Sequence, residues 1–472
     1  MRRLVILGGG TAGTAVANRL RSAIPEADLR ITVIDQDDEH HYQPGYLFRA
    51  VGTYSSSQIV RSRHRLFASG IELVLTAIDK VEPKRKRVVL TDGRAVPYDL
   101  LIIATGVTPR PDQTPGMDGP EYGVSIHQFY TLDGAEKLHE ALRHFRGGKM
   151  VVHLTDLPIK CPVAPLEMTF LLDAWLTGHG IREETTITYV TPLDGAFTKP
   201  VASRELGNMF LERGIDLVTD FAVESVDNTA KQLVSYDERR VDFDLLVTIP
   251  LNLGADYIAR SGMGDDLNLV PCDQHTMAAL DYPDTWVLGD AGTLATSKAG
   301  SVAHFSIDVF MENFMAAWRG EEPEGKFDGH ANCFVETGHG KGMLLDFNYK
   351  TQPLTGVFPF PGVGPMKLLK ESRINHLGKL GFYWVYWHLL LPGRRIPIPA
   401  DMKMSGKIVP SESADSAAAP SAAAPAAIVA PKEPAAAESA PAAPARKKPA
   451  TPKPAAKAAS SEVLDQPIIP TF

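Results

Sequence analysis

Residues 3–20 read RLVILGGGTAGTAVANRL, a stretch in which a strand, a tight turn and a helix follow one another. The apolar run 3–7 is typical of a buried strand, and residues 11–24 have the pattern of a helix that ends near Pro25. The turn between them has the spacing G-x-G-x-x-G, with Gly8, Gly10 and Gly13. Together with later strand–helix alternation, this unit predicts an α/β fold with parallel sheets.

The glycine turn predicts a dinucleotide site. In such a turn Gly8 permits the sharp bend, Gly10 lets the backbone approach a pyrophosphate, and Gly13 allows close packing of helix on strand. The phosphate then lies at the helix N-terminus, where free N–H groups favour negative charge. Asp35 ends the next predicted strand, 30–34, where its carboxylate can bind a ribose hydroxyl. The other predicted contacts from this half of the site are Thr11, Ala12, Gln36, Ala77 and Ile78.

Two later motifs indicate that the dinucleotide is FAD. Ala104-Thr105-Gly106 closes a predicted strand over 100–104, and Gly289-Asp290-Ala291 closes another over 286–288. In this order the motifs resemble those of flavoproteins with two dinucleotide-binding domains. The resemblance implies that Asp290 binds the ribityl and phosphate portion, and that a helix starting near Lys298 and Gly300 points its positive end at the flavin.

Composition limits the other possibilities. Of the 472 residues, 44% are hydrophobic and 22% charged, which is ordinary for a soluble globular protein. A net charge of -8 gives no reason to expect a nucleic-acid partner, and three cysteines are too few for a disulfide framework. We find no signal peptide and no metal-site motif, and no stretch long enough to span a bilayer. These features predict a cytoplasmic protein, or one attached to the cytoplasmic face of a membrane.

A second strand–turn–helix unit, KMVVHLTDLPIKCPVAPLEMTFLLDAWL over 149–176, carries a different turn. The strand is predicted over 150–154, but residues 155–162 contain no glycine and two prolines. A pyrophosphate could not approach such a backbone closely. We therefore predict that NAD(P)H does not bind there in the usual way and that electrons come from another donor.

Cys161 lies in that turn, and we place it at the start of a helix over 166–175. A thiol at a helix N-terminus has a lowered pKa, and Lys160 adds a neighbouring positive charge. Glu167, about two turns into the helix, could accept a proton. The alternatives are a small buried cysteine and a solvated glutamate. Cys333, in a glycine-rich strand-and-turn segment, could form a redox-active pair with Cys161 if the fold brings them together.

These residues resemble the sulfide:quinone oxidoreductase family, with flavocytochrome c sulfide dehydrogenase as a relative. The likeness covers about residues 1–400 and is most specific in KCPVAPLE, 160–167. It implies that Cys161 and Cys333 form a disulfide or polysulfide bridge on one face of the flavin, with Glu167 beside them. Sulfide would attack this bridge by thiol–disulfide exchange, and FAD would pass two electrons to a membrane quinone.

The sequence departs from the family in two places. Where many members have a third cysteine, GVSIHQFYT has His127, which is either a local replacement or a surface histidine. A histidine found after the second domain's central strand is missing from TPLDGAFTKP. The acid–base roles and the length of the sulfur product are therefore open. Cys272 is interpreted as structural.

The resemblance also implies a monotopic membrane anchor. The segment 377–395 concentrates aromatic residues between Lys379 and Arg394, a composition that suits a headgroup interface, although a buried core helix has the same pattern. We predict Phe334, Phe358 and Phe360 as quinone-side contacts. The expected location is the inner membrane of a prokaryote, as a peripheral protein that assembles as a homo-oligomer.

The predicted organisation is two Rossmann-like dinucleotide-binding domains of three layers each, followed by a C-terminal region. The limits are 1–110 with 275–320 for the FAD domain, 111–274 for the second domain, 321–405 for the quinone and membrane region, and 411–472 for a disordered Ala/Pro-rich tail that could bind a protein. Two other functions stay open at this point. One is an NADH:quinone oxidoreductase of type II with an unusual nucleotide site, and the other is a non-catalytic membrane-bound flavoprotein scaffold.

Overall fold

The computed structural model describes residues 1–360, 362–394, 396 and 398–410. The tail predicted over 411–472, its disorder and the protein partner expected for it lie outside the described residues. Within the described part, three five-stranded sheets carry the architecture.

The first sheet contains the strand of the glycine turn at its centre. Its members are buried apolar runs that pair in parallel, in the order β20-β9-β1-β2-β5. They are β1 Arg2–Leu7, β2 Leu29–Asp35, β5 Ile71–Leu75, β9 Leu100–Ile103 and β20 Thr285–Val287. β20 comes from far downstream and pairs with β9, which agrees with a discontinuous first domain. The limits 1–110 with 275–320 stay a prediction.

Two helices cover this sheet and begin near its carboxyl edge. Helix α1, Thr11–Ala23, follows the glycine turn, and α8, Gly300–Arg319, follows β20. Neither helix has a side-chain cap or an acidic residue in its first turn. Each therefore presents free backbone N–H groups, which are suited to an anionic group.

The second sheet repeats the plan. Its order is β11-β18-β12-β13-β14, and every pairing in it is parallel. The strands are β11 Ile126–His127, β12 Gly148–Leu154, β13 Thr185–Val190, β14 Ile215–Val218 and β18 Leu245–Ile249. The accompanying helices are α4 Leu132–His144, α5 Ala164–Gly178 and α6 Pro200–Glu212.

The third sheet is mixed and lies in the C-terminal region. Its order is β21-β22-β24-β23-β25, so that β21 is an edge strand. The strands are β21 Ala331–Gly338, β22 Lys341–Phe347, β23 Thr355–Phe360, β24 Gly364–Leu368 and β25 Lys407–Ile408. Helix α5 packs along β21, and α9, Arg373–Val385, packs on β21, β22 and β24.

The remaining elements are short. The small strands are β3 Glu39–His41, β4 Val60–Ser62, β6 Ile78–Glu82, β7 Arg87–Leu90, β8 Ala95–Pro97, β10 Val107–Arg110, β15 Val223–Asp227, β16 Gln232–Ser235, β17 Arg240–Asp242 and β19 Leu251–Gly254. The short helices are α2 Gly45–Ala50, α3 Ser56–Ile59 and α7 Asp256–Arg260. They connect the main layers and contribute walls to the site described below.

The segment predicted to meet a membrane has a mixed environment. After α9 the chain continues into a π-helical turn, Tyr386–Leu390, in which Tyr386 and Trp387 are buried. Trp384 is exposed, whereas Lys379 is buried. Lys379, Tyr386 and Trp387 therefore have the environment of the buried core-helix alternative, whereas Trp384 does not. Among the described helices, none is both long and apolar enough to cross a membrane.

Candidate active site

A cavity of about 750 Å³ opens at the carboxyl edge of the first sheet. The two dinucleotide-type units and α8 form its walls. Of the predicted cofactor residues, those that line it are Gly8, Gly10, Thr11, Ala12, Asp35, Gln36, Ala77, Ile78, Ala104, Thr105, Gly106, Gly289, Asp290, Lys298 and Gly300. Gly13 is the exception, since it lies under the turn.

The three glycines of the turn meet different surroundings. Gly8 has φ +94°, and a Cβ atom on it would lie 2.6 Å from the Ala104 carbonyl oxygen. A Cβ on Gly13 would lie 1.8 Å from the Gly8 carbonyl oxygen, so that helix and turn are in direct contact. A Cβ on Gly10 would meet no atom within 4 Å and would instead project into open space. The backbone at Gly10 is therefore free to approach a ligand, and the residues fit a pyrophosphate.

Asp35 is held by a partner that the sequence did not reveal. Its Oδ2 atom accepts a hydrogen bond from the Gly9 N–H at 2.6 Å and lies 3.2 Å from the Arg63 guanidinium. Its Oδ1 atom accepts from the Gln36 N–H at 2.7 Å. Burial raises the pKa of Asp35, and the charge of Arg63 opposes that rise. Arg63 belongs to the basic run RSRHR, residues 61–65, which begins within β4 and was the only signal for it in the sequence.

Lys298 and Asp290 fix the start of α8 against the cavity. The Lys298 ammonium donates to the backbone oxygens of Asp290 at 2.7 Å and Gly292 at 2.8 Å. Burial lowers the pKa of Lys298 and raises that of Asp290. Because the backbone beside Ala299 and Gly300 lines the cavity, the uncapped end of α8 faces whatever occupies it.

Cys161 forms part of the same wall. Its N–H donates to the Lys298 carbonyl oxygen at 2.5 Å, and its φ of 52° lies in the left-handed region. Helix α5 begins three residues later, at Ala164, so that Cys161 precedes the helix rather than starting it. The glycine-free turn is thus bonded to the segment that leads into α8.

The expected lowering of the Cys161 pKa was wrong. Burial, followed by the charge of Glu167, raises the pKa of this thiol well above its ordinary value, and the charge of Lys379 opposes the rise only in part. The same first causes, burial and Glu167, raise the pKa of Cys333 to about 12. Loss of water around the sulfur and a nearby carboxylate therefore outweigh the helix N-terminus.

Glu167 is buried in the first turn of α5, not two turns into it. Its Oε1 atom accepts from the Glu336 N–H at 2.6 Å and forms an ion pair with the Lys379 ammonium. Lys379 also donates to the Phe334 carbonyl oxygen at 3.3 Å. The pair therefore fills hydrogen-bonding positions that a further strand would occupy beside the edge strand β21.

Cys333 is buried on β21, at 6% exposure, and is not among the described residues that line the cavity. The Ser301 hydroxyl, in the first turn of α8, hydrogen-bonds to it and moderates the rise of its pKa. The charge of Cys333 also acts on Cys161, and both thiols experience the charges of Glu167 and Lys379. The two cysteines thus share one electrostatic environment.

The three cysteines are free thiols in this structure. Cys272 is buried elsewhere, with its sulfur 4.0 Å from the Thr293 hydroxyl. Its surroundings agree with a structural role. Among the described residues, no group of histidine, cysteine and acidic side chains has the arrangement of a metal site.

Four further predicted residues lie outside the cysteine cluster. His127 is buried at 3% exposure, with its Nε2 atom 3.0 Å from the Val124 carbonyl oxygen, so that the surface alternative was wrong. It is also not among the groups that perturb the pKa of Cys161 or Cys333. Phe334 and Phe358 belong to one apolar cluster with Leu344, Leu354, Leu368 and Met402, whereas Phe360 is exposed.

Comparisons with known proteins agree with this geometry. The profile of the family described as "Pyridine nucleotide-disulphide oxidoreductase" matches residues 2–152. The mitochondrial sulfide:quinone oxidoreductase of Mus musculus is 24% identical over 397 residues, which cover 83% of this chain and 86% of that protein. The sulfide:quinone oxidoreductase structure from Aquifex aeolicus has a TM-score of 0.71 at 18% identity and covers 84% of this chain and 92% of its own.

The chain is thus similar over most of its length to sulfide:quinone oxidoreductases from several organisms. A further relative, the NADH dehydrogenase-like protein YutJ of Bacillus subtilis, is 29% identical over 414 residues, which cover 82% of this chain and 99% of that protein. Both relatives match most of this chain, so overall similarity alone does not distinguish a sulfide enzyme from an NADH enzyme. To choose between these two activities, the side chains of the site must be considered.

The different surroundings of Gly10 and Gly13 lead to a paired prediction. Gly13→Ala forces a Cβ against the Gly8 carbonyl and should destabilise the fold by about 1–3 kcal/mol or more. Gly10→Ala should leave the melting temperature nearly unchanged but weaken FAD binding by about tenfold or more, because its methyl group enters the cavity.

Gly207→Ala, in the middle of α6 and free of contacts within 4 Å, is the matched control and should preserve both properties. Thermal melts and FAD titrations measure the two effects. Full FAD affinity in the Gly10 variant would contradict the assignment of the pyrophosphate position.

Proposed function

We propose that the protein oxidises sulfide and passes two electrons through FAD to a quinone. The observation that carries this proposal is the position of Cys161. Its thiol lines the predicted FAD cavity and shares the Glu167–Lys379 environment with Cys333. The sulfide:quinone oxidoreductase relatives, which match most of the chain, support the substrate and the acceptor.

FAD supplies the two-electron chemistry, accepting electrons from the thiol side and passing them to the quinone. The residues that would hold it are those of the glycine turn, Asp35 for a ribose, and Asp290 with the start of α8 for the flavin half. The uncapped N-terminus of α8 favours negative charge where the reduced cofactor would carry it. The free backbone N–H groups of α8 are sufficient to explain this preference for negative charge.

The cysteines supply the sulfur chemistry. In the oxidised pair, hydrosulfide attacks one sulfur of a Cys161–Cys333 disulfide, and the S–S bond breaks. The attacked cysteine becomes a persulfide, while the other leaves as a thiolate. A second nucleophile then carries away the sulfane sulfur and leaves two reduced cysteines. These give up two electrons when their disulfide forms again.

In this cycle Glu167 accepts protons from the thiols, and Lys379 compensates its charge. With their raised pKa values, both reduced cysteines hold protons that must leave before the disulfide can form. Glu167 is the buried carboxylate whose charge both thiols experience, and burial raises its own pKa. It can therefore accept a thiol proton, while the Lys379 ammonium compensates its charge.

The turn between β12 and α5 argues against NADH as the donor. Residues 155–162 lack glycine, and the turn is bonded through Lys160 to the Asn252 side chain and through Cys161 to Lys298. These bonds occupy backbone groups that would otherwise be available to a nucleotide phosphate. Electrons would thus enter through the thiols.

An apolar surface on the C-terminal region is the proposed lipid contact. Ile374, Leu377 and Trp384 recur at helical spacing on α9 and are 45%, 63% and 55% exposed. Phe360 and Val363, at the connection of β23 and β24, are also exposed. Helix α9 carries Lys379 on its buried side, so it connects this surface with the cysteines. We propose that quinone enters here, beside the cluster of Phe334 and Phe358.

This surface supports peripheral attachment to a membrane, and the inner membrane of a prokaryote stays a prediction from the sequence. Assembly as a homo-oligomer stays a prediction from the family resemblance. The protein partner predicted for the tail likewise stays a prediction.

The function is tested by anaerobic mixing of the FAD-loaded protein with sulfide, followed by a short-chain quinone. We expect sulfide to bleach the flavin absorbance and quinone to restore it. Cys161→Ser and Cys333→Ser should each lower the rate of bleaching by about two orders of magnitude or more, because either change removes the disulfide. Cys272→Ser is the matched control and should retain the wild-type rate. Bleaching by NADH but not by sulfide would sink the proposal.

The lipid contact is tested by flotation with vesicles. Replacing Leu377 and Trp384 by serine should greatly reduce co-flotation, because the change removes apolar area available for burial in the interface. Sulfide-dependent bleaching in solution should persist. Serine at Leu211 and Tyr236, which are 81% and 73% exposed outside the C-terminal region, provides the control. Unchanged flotation of the Leu377 and Trp384 variant would show that lipid binds elsewhere.

A further inference from the structure

A buried acid on β21 has a basic partner that reaches solvent. The Glu336 side chain is 1% exposed, and the Nδ1 atom of His376 lies 2.9 Å from each of its carboxylate oxygens. The side chain of His376, on α9, is 21% exposed. None of the steps proposed above uses this pair.

The pair adjoins the groups that surround the cysteines. The N–H of Glu336 donates to Glu167, and α9 places His376 and Lys379 three residues apart, on one helix face. The charge of Glu336 contributes to the raised pKa of Glu167. The two carboxylates and the two basic groups therefore form a single cluster at the meeting point of α5, β21 and α9.

A count of charges shows how the cluster depends on the charge of His376. Two carboxylates, one ammonium and a protonated imidazole sum to zero. If His376 loses its proton, the cluster carries one net negative charge beside two buried thiols. Such a charge is costly away from water, so a proton on Glu167 becomes more favourable. A proton on His376 therefore makes a proton on Glu167 less favourable, and the reverse.

The other titratable groups around the pair are either neutral or already paired. Tyr54 faces Glu336, and its phenol has a raised pKa, with burial as the main cause. At the far end of β21, Glu371 is paired with Lys341 at 2.9 Å and with Arg213 at 2.8 Å. Near Glu167 lie Cys161 and Cys333, and the phenols of Tyr42 and Tyr130 also experience its charge, with pKa values that burial raises. Among the described residues, only His376 of the four-residue cluster has a side chain appreciably in contact with water.

We propose that His376 is a positioning residue whose positive charge, acting beside Glu336, offsets the negative charge around Glu167 and so favours the thiolate of Cys161. A proton that moves from a thiol to Glu167 leaves a thiolate in the site. Without the positive charge of His376 the cluster is net negative, which disfavours this second negative charge on sulfur. The inference deepens the proposed function, but the coupling itself needs neither sulfide nor quinone.

The coupling is tested by the rate at which Cys161 reacts with 4,4′-dithiodipyridine between pH 6 and pH 9. The reduced, FAD-loaded protein is used, and peptide mapping identifies the modified cysteine. Glu336→Gln removes a negative charge and should raise the Cys161 rate, by about tenfold if the thiol pKa falls by one unit. His376→Gln removes the imidazole and the positive charge that it can carry, and should lower the rate, most strongly at the acidic end of the range.

The double variant Glu336→Gln with His376→Gln restores the net charge and should react nearly as the wild type does at pH 6. His339→Gln, an exposed histidine next to the same strand, is the control and should change little. A general disturbance of packing would shift both single variants in the same direction and would not be reversed in the double variant. That pattern, or equal rates in all variants, would overturn the inference.

The two proposals fail in different ways. If sulfide does not bleach the flavin but the single variants still shift the thiol rate in opposite directions, the coupling stands and the sulfide function falls. If bleaching occurs and the opposite shifts are absent, the function stands and the coupling falls. Melting temperatures of all variants exclude loss of folding as the cause.

Discussion

The ion pair between Glu167 and Lys379 is the interaction on which the site depends. β21 is the edge of its sheet, and its outward backbone groups need partners once α5 packs against them. Glu167 accepts from the Glu336 N–H, and Lys379 donates to the Phe334 carbonyl. Removing either charged group leaves its partner buried and uncompensated, at a cost of about 3–5 kcal/mol.

That pair joins parts of the chain that are distant in sequence. Helix α5 follows the turn with Cys161, β21 carries Cys333, and α9 carries the lysine. The three elements must pack together for the two carboxylate contacts of Glu167 to form. The same packing therefore gives both thiols a shared electrostatic environment and raises their pKa values. The raised pKa values favour the protonated form of both thiols.

The fold and the cofactor cavity could be predicted from local sequence. The glycine turn specifies a strand, a helix and an anion position within a few residues, and the motifs at Thr105 and Asp290 end strands of the same sheet. Each of these motifs consists of residues adjacent in sequence, so it can be recognised without knowledge of the tertiary structure. The start of α5 at Ala164, three residues after Cys161, was harder to predict from the sequence. Pro162 and Pro165 are both compatible with the first turn of a helix.

The electrostatics of the site could not be predicted in that way. The sign of the Cys161 pKa shift depends on burial and on Glu167, both of which are tertiary properties. Lys379 stands among aromatic residues typical of a membrane interface, yet its partner is 212 positions away in sequence. His127 was assigned to the surface as one alternative, and only the pairing of β11 with β18 shows that it is buried.

The central claim is that Cys161 and Cys333 form one redox pair. Mild oxidation of the folded, FAD-loaded protein with diamide, followed by alkylation and disulfide mapping by mass spectrometry, tests it most directly. The account predicts a linked peptide pair that contains Cys161 and Cys333, with Cys272 recovered in its alkylated form after unfolding. A bridge that includes Cys272, or recovery of Cys161 and Cys333 as free thiols after complete reaction with diamide, would contradict it.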